Sequence, residues 1–178
     1  IPRDFIRENS VIAGTASTLH AIISHGLYPD SNTNVAILAP GNVSQGAYQV
    51  MAKFGCKIRL FYRKTMNEFY ESISQYDIII NGIEVDDGKS HIISTIQQNN
   101  IKRGALLIDA AADAGNAIEG SHYTTIGDPI YMNNGLAHYE VNNSPSILYR
   151  KASEIISKSF SKWVFSRDFI EYYNLIKH

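Results

Sequence analysis

Cys56 is the one cysteine among 178 residues, so no disulfide framework can staple this chain. A lone thiol suits a reducing compartment, and a cytoplasmic setting is expected. Neither sign of charge is in excess: 16 Lys and Arg face 17 Asp and Glu, a formal net charge of −1. No broad basic field therefore draws the chain to nucleic acid or to an acidic membrane surface. The 6 histidines are scattered without metal-ligand spacing, and no metal site is expected. Long apolar runs are also missing. Nothing approaches the roughly 18–20 residues that span a bilayer, and no signal peptide is visible. The first position lacks methionine: the chain opens Ile1-Pro2-Arg3, which reads as a processed or truncated piece of something longer.

What is present is apolar residue enough, 44%, for one good core. From about Arg7 to His25, Ile12, Ala16, Leu19, Ile22 and Ile23 recur at helical spacing, and Gly26 follows as a stop. Val35 to Leu38 is a short apolar run of the kind found in buried parallel strands. A turn at 41–44 precedes a helix over Ala47–Phe54, and Ile58–Tyr62 makes a second strand. Met66–Gln75 reads as helix, Ile78–Ile80 as strand, His91–Asn99 as helix and Ala105–Ile108 as strand. This alternation predicts an α/β fold, a doubly wound parallel sheet covered by helices on both faces. After Asp109 the composition turns to Gly, Thr and Asn, with a short strand around His138–Val141. From Ser146 a C-terminal helical extension is expected, ending in an aromatic cluster of Phe160, Trp163, Phe165, Phe169, Tyr172 and Tyr173.

The stretch Leu38-Ala39-Pro40-Gly41-Asn42-Val43-Ser44-Gln45-Gly46-Ala47 leaves the first strand and opens the next helix. That is where a Rossmann-type fold cradles a dinucleotide. The turn must be tight, the backbone must approach the pyrophosphate, and the helix must start close to the strand. Against G-x-G-x-x-G the loop keeps its middle glycine, Gly41, and places Ala39 and Ser44 at the first and third positions. Pro40 removes one donor N–H, which leaves the amides of Asn42 and Val43 to face phosphate. The second strand then ends Phe61-Tyr62-Arg63-Lys64-Thr65, without the acid that would hold an adenosine ribose. Two cations and a hydroxyl stand there instead, each able to contribute about 1.5–3 kcal/mol to a 2′-phosphate through charge-assisted hydrogen bonds. The expected cofactor is therefore NADPH rather than NADH.

Several blocks together resemble the alanine dehydrogenase family, with its transhydrogenase and saccharopine-type relatives. They are Ser10–Gly14, the glycine loop, Leu107-Ile108-Asp109-Ala110-Ala111-Ala112-Asp113-Ala114-Gly115, and Gly135-Leu136-Ala137-His138-Tyr139-Glu140-Val141-Asn142-Asn143-Ser144-Pro145. Glu119, His122 and Asp128–Tyr131 fall in register between them, so the resemblance covers nearly the whole chain. The Gly41-Asn42-Val43 turn and the non-acidic strand end are most similar to a branch that condenses pyruvate with the side-chain amine of ornithine or lysine. That branch reduces the resulting imine with NADPH.

The resemblance implies residues 1–140 as an NAD(P)-binding domain with a leading connecting helix, and 141–178 as a helical segment of the catalytic domain. It implies small-molecule substrates, a homo-oligomer in the full-length protein, and a preceding half-domain that supplies a lysine and a histidine. Asp113 takes the place of the family's catalytic carboxylate beside the nicotinamide, with capping of the following turn as its other reading. Asn143 would bond the carboxamide of the nicotinamide or the substrate, with Ser10 and Val141 around the nicotinamide ribose and ring. Asp109 reads as structural, and His138, His91, His20 and His25 as satisfied core groups. Where the family has Asp-Gln-Gly-Gly this chain has Asp113-Ala114-Gly115-Asn116, and for Asn-Met-Pro it has Asn143-Ser144-Pro145. Those departures fit an altered substrate pocket. Two other readings stay open: an NADP-linked amino-acid dehydrogenase that uses ammonia, and a non-catalytic nucleotide-binding subunit.

Overall fold

Strands buried on both faces read as continuous apolar runs, and the central strands of this protein do so up to their polar carboxyl ends at Asn81 and Asp109. In the computed structural model, which describes residues 3–161, Val35 and Ile37 pack on one side of the sheet. Ala36 and Leu38 pack on the other. The same alternation divides Ile78 and Ile80 from Ile79, and Leu106 and Ile108 from Leu107.

The elements run α1 (Arg3–Ser24), β1 (Asn34–Leu38), α2 (Asn42–Lys53), β2 (Lys57–Phe61), α3 (Met66–Ser72) and β3 (Ile78–Asn81). Then follow α4 (Thr95–Gln98), β4 (Leu106–Asp109), β5 (Ile130–Asn133), β6 (Leu136–Tyr139) and α5 (Tyr149–Phe160). The six strands form one sheet in the order β2-β1-β3-β4-β6-β5, parallel except for β5. The chain moves outward from β1 to β2 and then returns to the far side of β1 for β3. That reversal makes a topological switch point at the carboxyl ends of β1 and β3, the crevice where such sheets bind ligands. The fold is the expected α/β Rossmann-like one.

Helices α1 and α2 cover one face. They cross so closely that a Cβ on Gly14 would lie 1.8 Å from the carbonyl oxygen of Val43, and one on Gly46 would lie 2.0 Å from that of Val11. The other face is closed by α3, by Tyr76 and by Ile93, Ile101 and Ile118, with Phe61, Phe69 and Tyr76 in mutual ring contact. The C-terminal end returns to α1, where Ser17 Oγ donates to Ser144 Oγ at 2.8 Å. Among the described residues no helix is long and apolar enough to cross a membrane.

Three expectations need correction. Helix α2 starts at Asn42, five residues before Ala47, because Gly41 already accepts the first helical bond, from Gln45 N–H at 3.0 Å. The helix expected over 91–99 shrinks to α4, because the backbone of Ile93 is bound to Ala117 and Glu119 and bridges Ile118. The strand expected at 138–141 is β6, two residues earlier, and β5 before it was not foreseen. The two form a hairpin whose two-residue turn, Asn134-Gly135, has both φ angles positive, at 51° and 80°. Asn-Gly is the pair that such a turn favours. Of the aromatic cluster, Phe160 closes α5 and the rest lies outside the described residues.

Gly14→Ala is expected to lower the unfolding free energy by about 1–3 kcal/mol, because the new methyl group meets backbone and the helices must part. Alanine's better helix propensity does not offset that clash. An unchanged urea midpoint would show that the crossing is looser than described.

Candidate functional site

From β1 the chain turns through Ala39, Pro40 and Gly41 into α2. Ala39 takes φ 80°, the left-handed region that favours glycine, while its N–H donates to Phe61 O at 2.9 Å. The position where a dinucleotide loop has its first glycine thus keeps the glycine conformation with an alanine in place. Gly41 is the N-cap of α2, in extended geometry, and no side chain caps the helix. A Cβ on Gly41 would meet nothing within 4 Å, so the backbone is bare on the side a ligand would approach. The first-turn amides of α2 have no acceptor within the helix, and the helix dipole adds to their pull on an anion. Ser44 is buried, its hydroxyl donating to Leu38 O at 2.9 Å, so the side chain locks the turn and only its amide can face outward. Gly82 after β3 completes the packing, since a Cβ there would lie 2.2 Å from Ser44 Oγ.

Among the described residues, three cavities surround this turn. One of about 420 Å³ lies between the ends of β2 and β3 and is lined by Pro40, Arg63, Met66, Ile83 and Asp86 among others. A second of about 470 Å³, lined by Gln45, Tyr48, Gln49 and Tyr62, opens between α2 and the end of β2. The third, about 240 Å³, brings together Ser10, Val43, Gly82, Ala111 and Asn143 at the carboxyl ends of β3 and β4. The sites expected from sequence therefore fall into groups. Gly41, Asn42, Val43 and Ser44 form the helix start. Tyr62 leads into a 3-10 turn over Arg63–Thr65, in which Thr65 Oγ1 accepts from the Tyr62 N–H at 2.9 Å. That bond occupies the Thr65 hydroxyl within its own turn. Arg63 and Lys64 are exposed, and no ion pair engages either among the described residues. Ser10, Val43 and Asn143 share the third cavity, with Asn143 in left-handed geometry at φ 57°. Val141 is buried in the core and bridges Thr124, and it does not line that cavity among the described residues.

Asp113 stands on the loop after β4, directly after Ala110, Ala111 and Ala112 of the third cavity's wall. Its Oδ2 accepts the Val85 N–H at 2.7 Å and its Oδ1 accepts from Asn116 Nδ2 at 2.8 Å. Asp109, at the end of β4, is fully buried and accepts from Asn81 Nδ2 at 3.0 Å and from the amides of Ala111 and Asp113, each at 3.2 Å. Burial pushes its carboxyl up to about 7, the Asn81 donor opposing and the Glu140 charge reinforcing that rise. His138 is in the core as expected but not satisfied there. Its ring stacks on Tyr131, its Nδ1 lies 3.9 Å from Glu140 Oε1, and neither side chain has a hydrogen-bond partner among the described residues. His91 Nδ1 contacts Asn116 O at 2.7 Å, and His20 Nδ1 contacts Tyr139 Oη at 3.1 Å.

A family model, "Alanine dehydrogenase/PNT, C-terminal domain", matches residues 13–169. The chain belongs to that family. It is 53% identical over 173 residues to N(5)-(carboxyethyl)ornithine synthase of Clostridium botulinum, covering 97% of this chain and 54% of that protein. It is 46% identical over 177 residues to the synthase of the same name from Lactococcus lactis subsp. lactis, covering 99% of this chain and 56% of the relative. The chain thus spans about half the length of these relatives. Among solved structures, an L-alanine dehydrogenase superposes with a TM-score of 0.73 at 19% identity, over 90% of this chain and 54% of that one, a likeness of fold.

Membership of the alanine dehydrogenase/PNT family and the dehydrogenase fold imply a nicotinamide cofactor. The geometry fits it: an uncapped helix start at the switch point, a bare glycine, and cavities on either side for the two halves of a dinucleotide. Residues that sequence reasoning passed over are Asn81, Gly82 and Glu84, which follow β3 and line or brace the same crevice. An Asn-Gly pair directly after an all-isoleucine strand was the available signal.

Two outcomes are expected. Ala39→Gly raises stability by about 0.5–1 kcal/mol, because the left-handed cost of alanine, about 1–2 kcal/mol, exceeds the entropy cost of glycine; a lowered melting point would refute the strain. Asp109 ionises more easily unfolded than folded, so its contribution is whole below pH ~4 and drains away as pH rises to about 7. The loss is on the order of 4 kcal/mol at most. Asp109→Asn flattens that slope in pH-dependent denaturation, and an unaltered slope would assign it to other groups.

Proposed function

We propose that this chain is the nucleotide-binding half of an NADPH-dependent reductase that joins pyruvate to the side-chain amine of ornithine or lysine. The observation that carries the cofactor choice is the end of β2, where Arg63 lines the cavity beside the glycine turn and Lys64 stands exposed next to it, with no acid for a ribose diol. A 2′-phosphate brings close to two negative charges to two cations that are in no ion pair among the described residues. The substrate reading is supported by the names of the relatives and by the share of this chain they match.

In this scheme residues 1–140 bind the nucleotide and 141–178 lead into the catalytic half. The amides of Asn42 and Val43 hold the pyrophosphate at the start of α2, and the bare Gly41 lets it approach. Ser10 and Asn143 orient the nicotinamide end within the third cavity. When bound, NADPH supplies the hydride that reduces the imine carbon. For Asp113 to take a proton from the attacking amine, Oδ1 must exchange its Asn116 donor for substrate, while Oδ2 stays on the Val85 amide. The full-length protein is proposed to act as a homo-oligomer.

Equilibrium titration followed by nucleotide fluorescence should show NADPH binding about tenfold or more tighter than NADH, a difference of ~1.4 kcal/mol or more. Arg63→Ala/Lys64→Ala should abolish that preference. Equal affinities in the unaltered protein would remove NADPH from the proposal and leave the dinucleotide fold. NADPH oxidation with pyruvate plus ornithine, against pyruvate plus ammonium, separates the condensing activity from a simple amino-acid dehydrogenase.

A further inference from the structure

Among the described residues the third cavity is lined by small and neutral residues, Ser10, Ala13, Gly82, Ala111 and Asn143 among them, with a single ionisable exception. That exception is Glu84. It lines both this cavity and the neighbouring one that holds Arg63, so it stands at the junction of the two halves of the crevice. The side chain is exposed and makes no ion pair or hydrogen bond among the described residues.

Its backbone, by contrast, is fixed from both sides. Before it, Asn81 grips Ile83 twice, accepting its N–H at 3.1 Å and donating to its carbonyl at 2.9 Å. After it, the Asp113 carboxylate holds the N–H of Val85 at 2.7 Å, and Val85 is buried. Asn81 is in turn anchored on Asp109. The loop therefore presents a carboxylate on a braced backbone beside the cavity, in no ion pair among the described residues. Next to a pyrophosphate at the α2 start, an unpaired anion is electrostatically costly unless a cation arrives with the second ligand. The reaction proposed above supplies one, since its amine substrate carries two amino groups and the one that does not react stays an ammonium ion.

Resting on that reading of the reaction, we infer that Glu84 is a specificity-determining residue, whose carboxylate pairs with the ammonium of the amine substrate. Pyruvate, an anion, gains nothing from it.

The test uses the full-length enzyme with Glu84→Gln, Glu84→Ala and Glu84→Asp. The Glu84 side chain braces nothing, so the variants keep the fold. Loss of a charged hydrogen bond should raise the KM for ornithine about tenfold or more in Glu84→Gln and Glu84→Ala. The KM for pyruvate and the Kd for NADPH and NADP should hold, kcat should change less than KM, and Glu84→Asp should recover part of the loss. An unchanged KM for ornithine overturns the inference. So does a loss of NADPH or NADP affinity in its place, which would put the carboxylate on the cofactor's ribose or ring. If the unaltered enzyme consumes no NADPH with pyruvate and ornithine, the proposed reaction itself falls, and that is seen before any variant is made.

Discussion

The contact on which the site depends is the backbone-to-backbone crossing of α1 and α2 at Gly14 and Gly46. Without side chains at those two positions, the carbonyls of Val11 and Val43 come within reach of the opposite helix. The first turn of α2 is thereby fixed at the carboxyl edge of the sheet, its amides facing the crevice. The same helix α1 carries Ser10 into the third cavity and receives the returning chain, since Ser144 Oγ also donates to Ala13 O at 3.3 Å. One helix thus holds the glycine turn, the third cavity and the segment that bears Asn143 in a common frame. A fatter residue at the crossing would disturb all of them together.

A second layer of order comes from polar groups at the strand ends. Asp109, Asn81, Ile83, Asp113 and Val85 form a connected set of hydrogen bonds that braces the loops after β3 and β4 against each other. Such networks are worth most where water is excluded and where every member is paired. Asp109 meets both conditions and is held near its point of half-ionisation by burial. His138 on β6 and Glu140 just after it do not meet the second condition.

Much of the fold was legible because its strands are buried on both faces and so appear as unbroken apolar runs. The hairpin of β5 and β6 was harder to see. Its first strand, Ile130–Asn133, is only half-buried, and its Asn134-Gly135 turn was lost among other asparagines and glycines. The helix expected around His91 failed for a non-local reason: residues 117–119 claim the backbone of Ile93, and no local pattern announces that. In the candidate site, Gly41, Asn42, Arg63 and Lys64 could be proposed from sequence because phosphate chemistry would constrain a short stretch of chain. Asn81, Gly82 and Glu84 matter because the sheet sets β3 beside β1, a neighbourhood absent from the linear order. Asp113 was found by resemblance, yet its bonds to Val85 and Asn116 are facts of the folded loops.

The β5–β6 hairpin has a kinetic consequence. Its strands meet across two residues, and closures of that kind take about 1–10 μs. Val35 must find Ile78, and Leu38 must also receive the N–H of Gly82, across a much longer reach of chain. Pairings of that sort arrive later, because loop-closure entropy has to be met before any contact rewards it. The strand that delivers Asn143 can therefore be in place early, while the left-handed bend at Ala39 becomes obligatory only when β1, β2 and β3 lie side by side. The conformation most suited to phosphate is then among the last parts of the chain to be set.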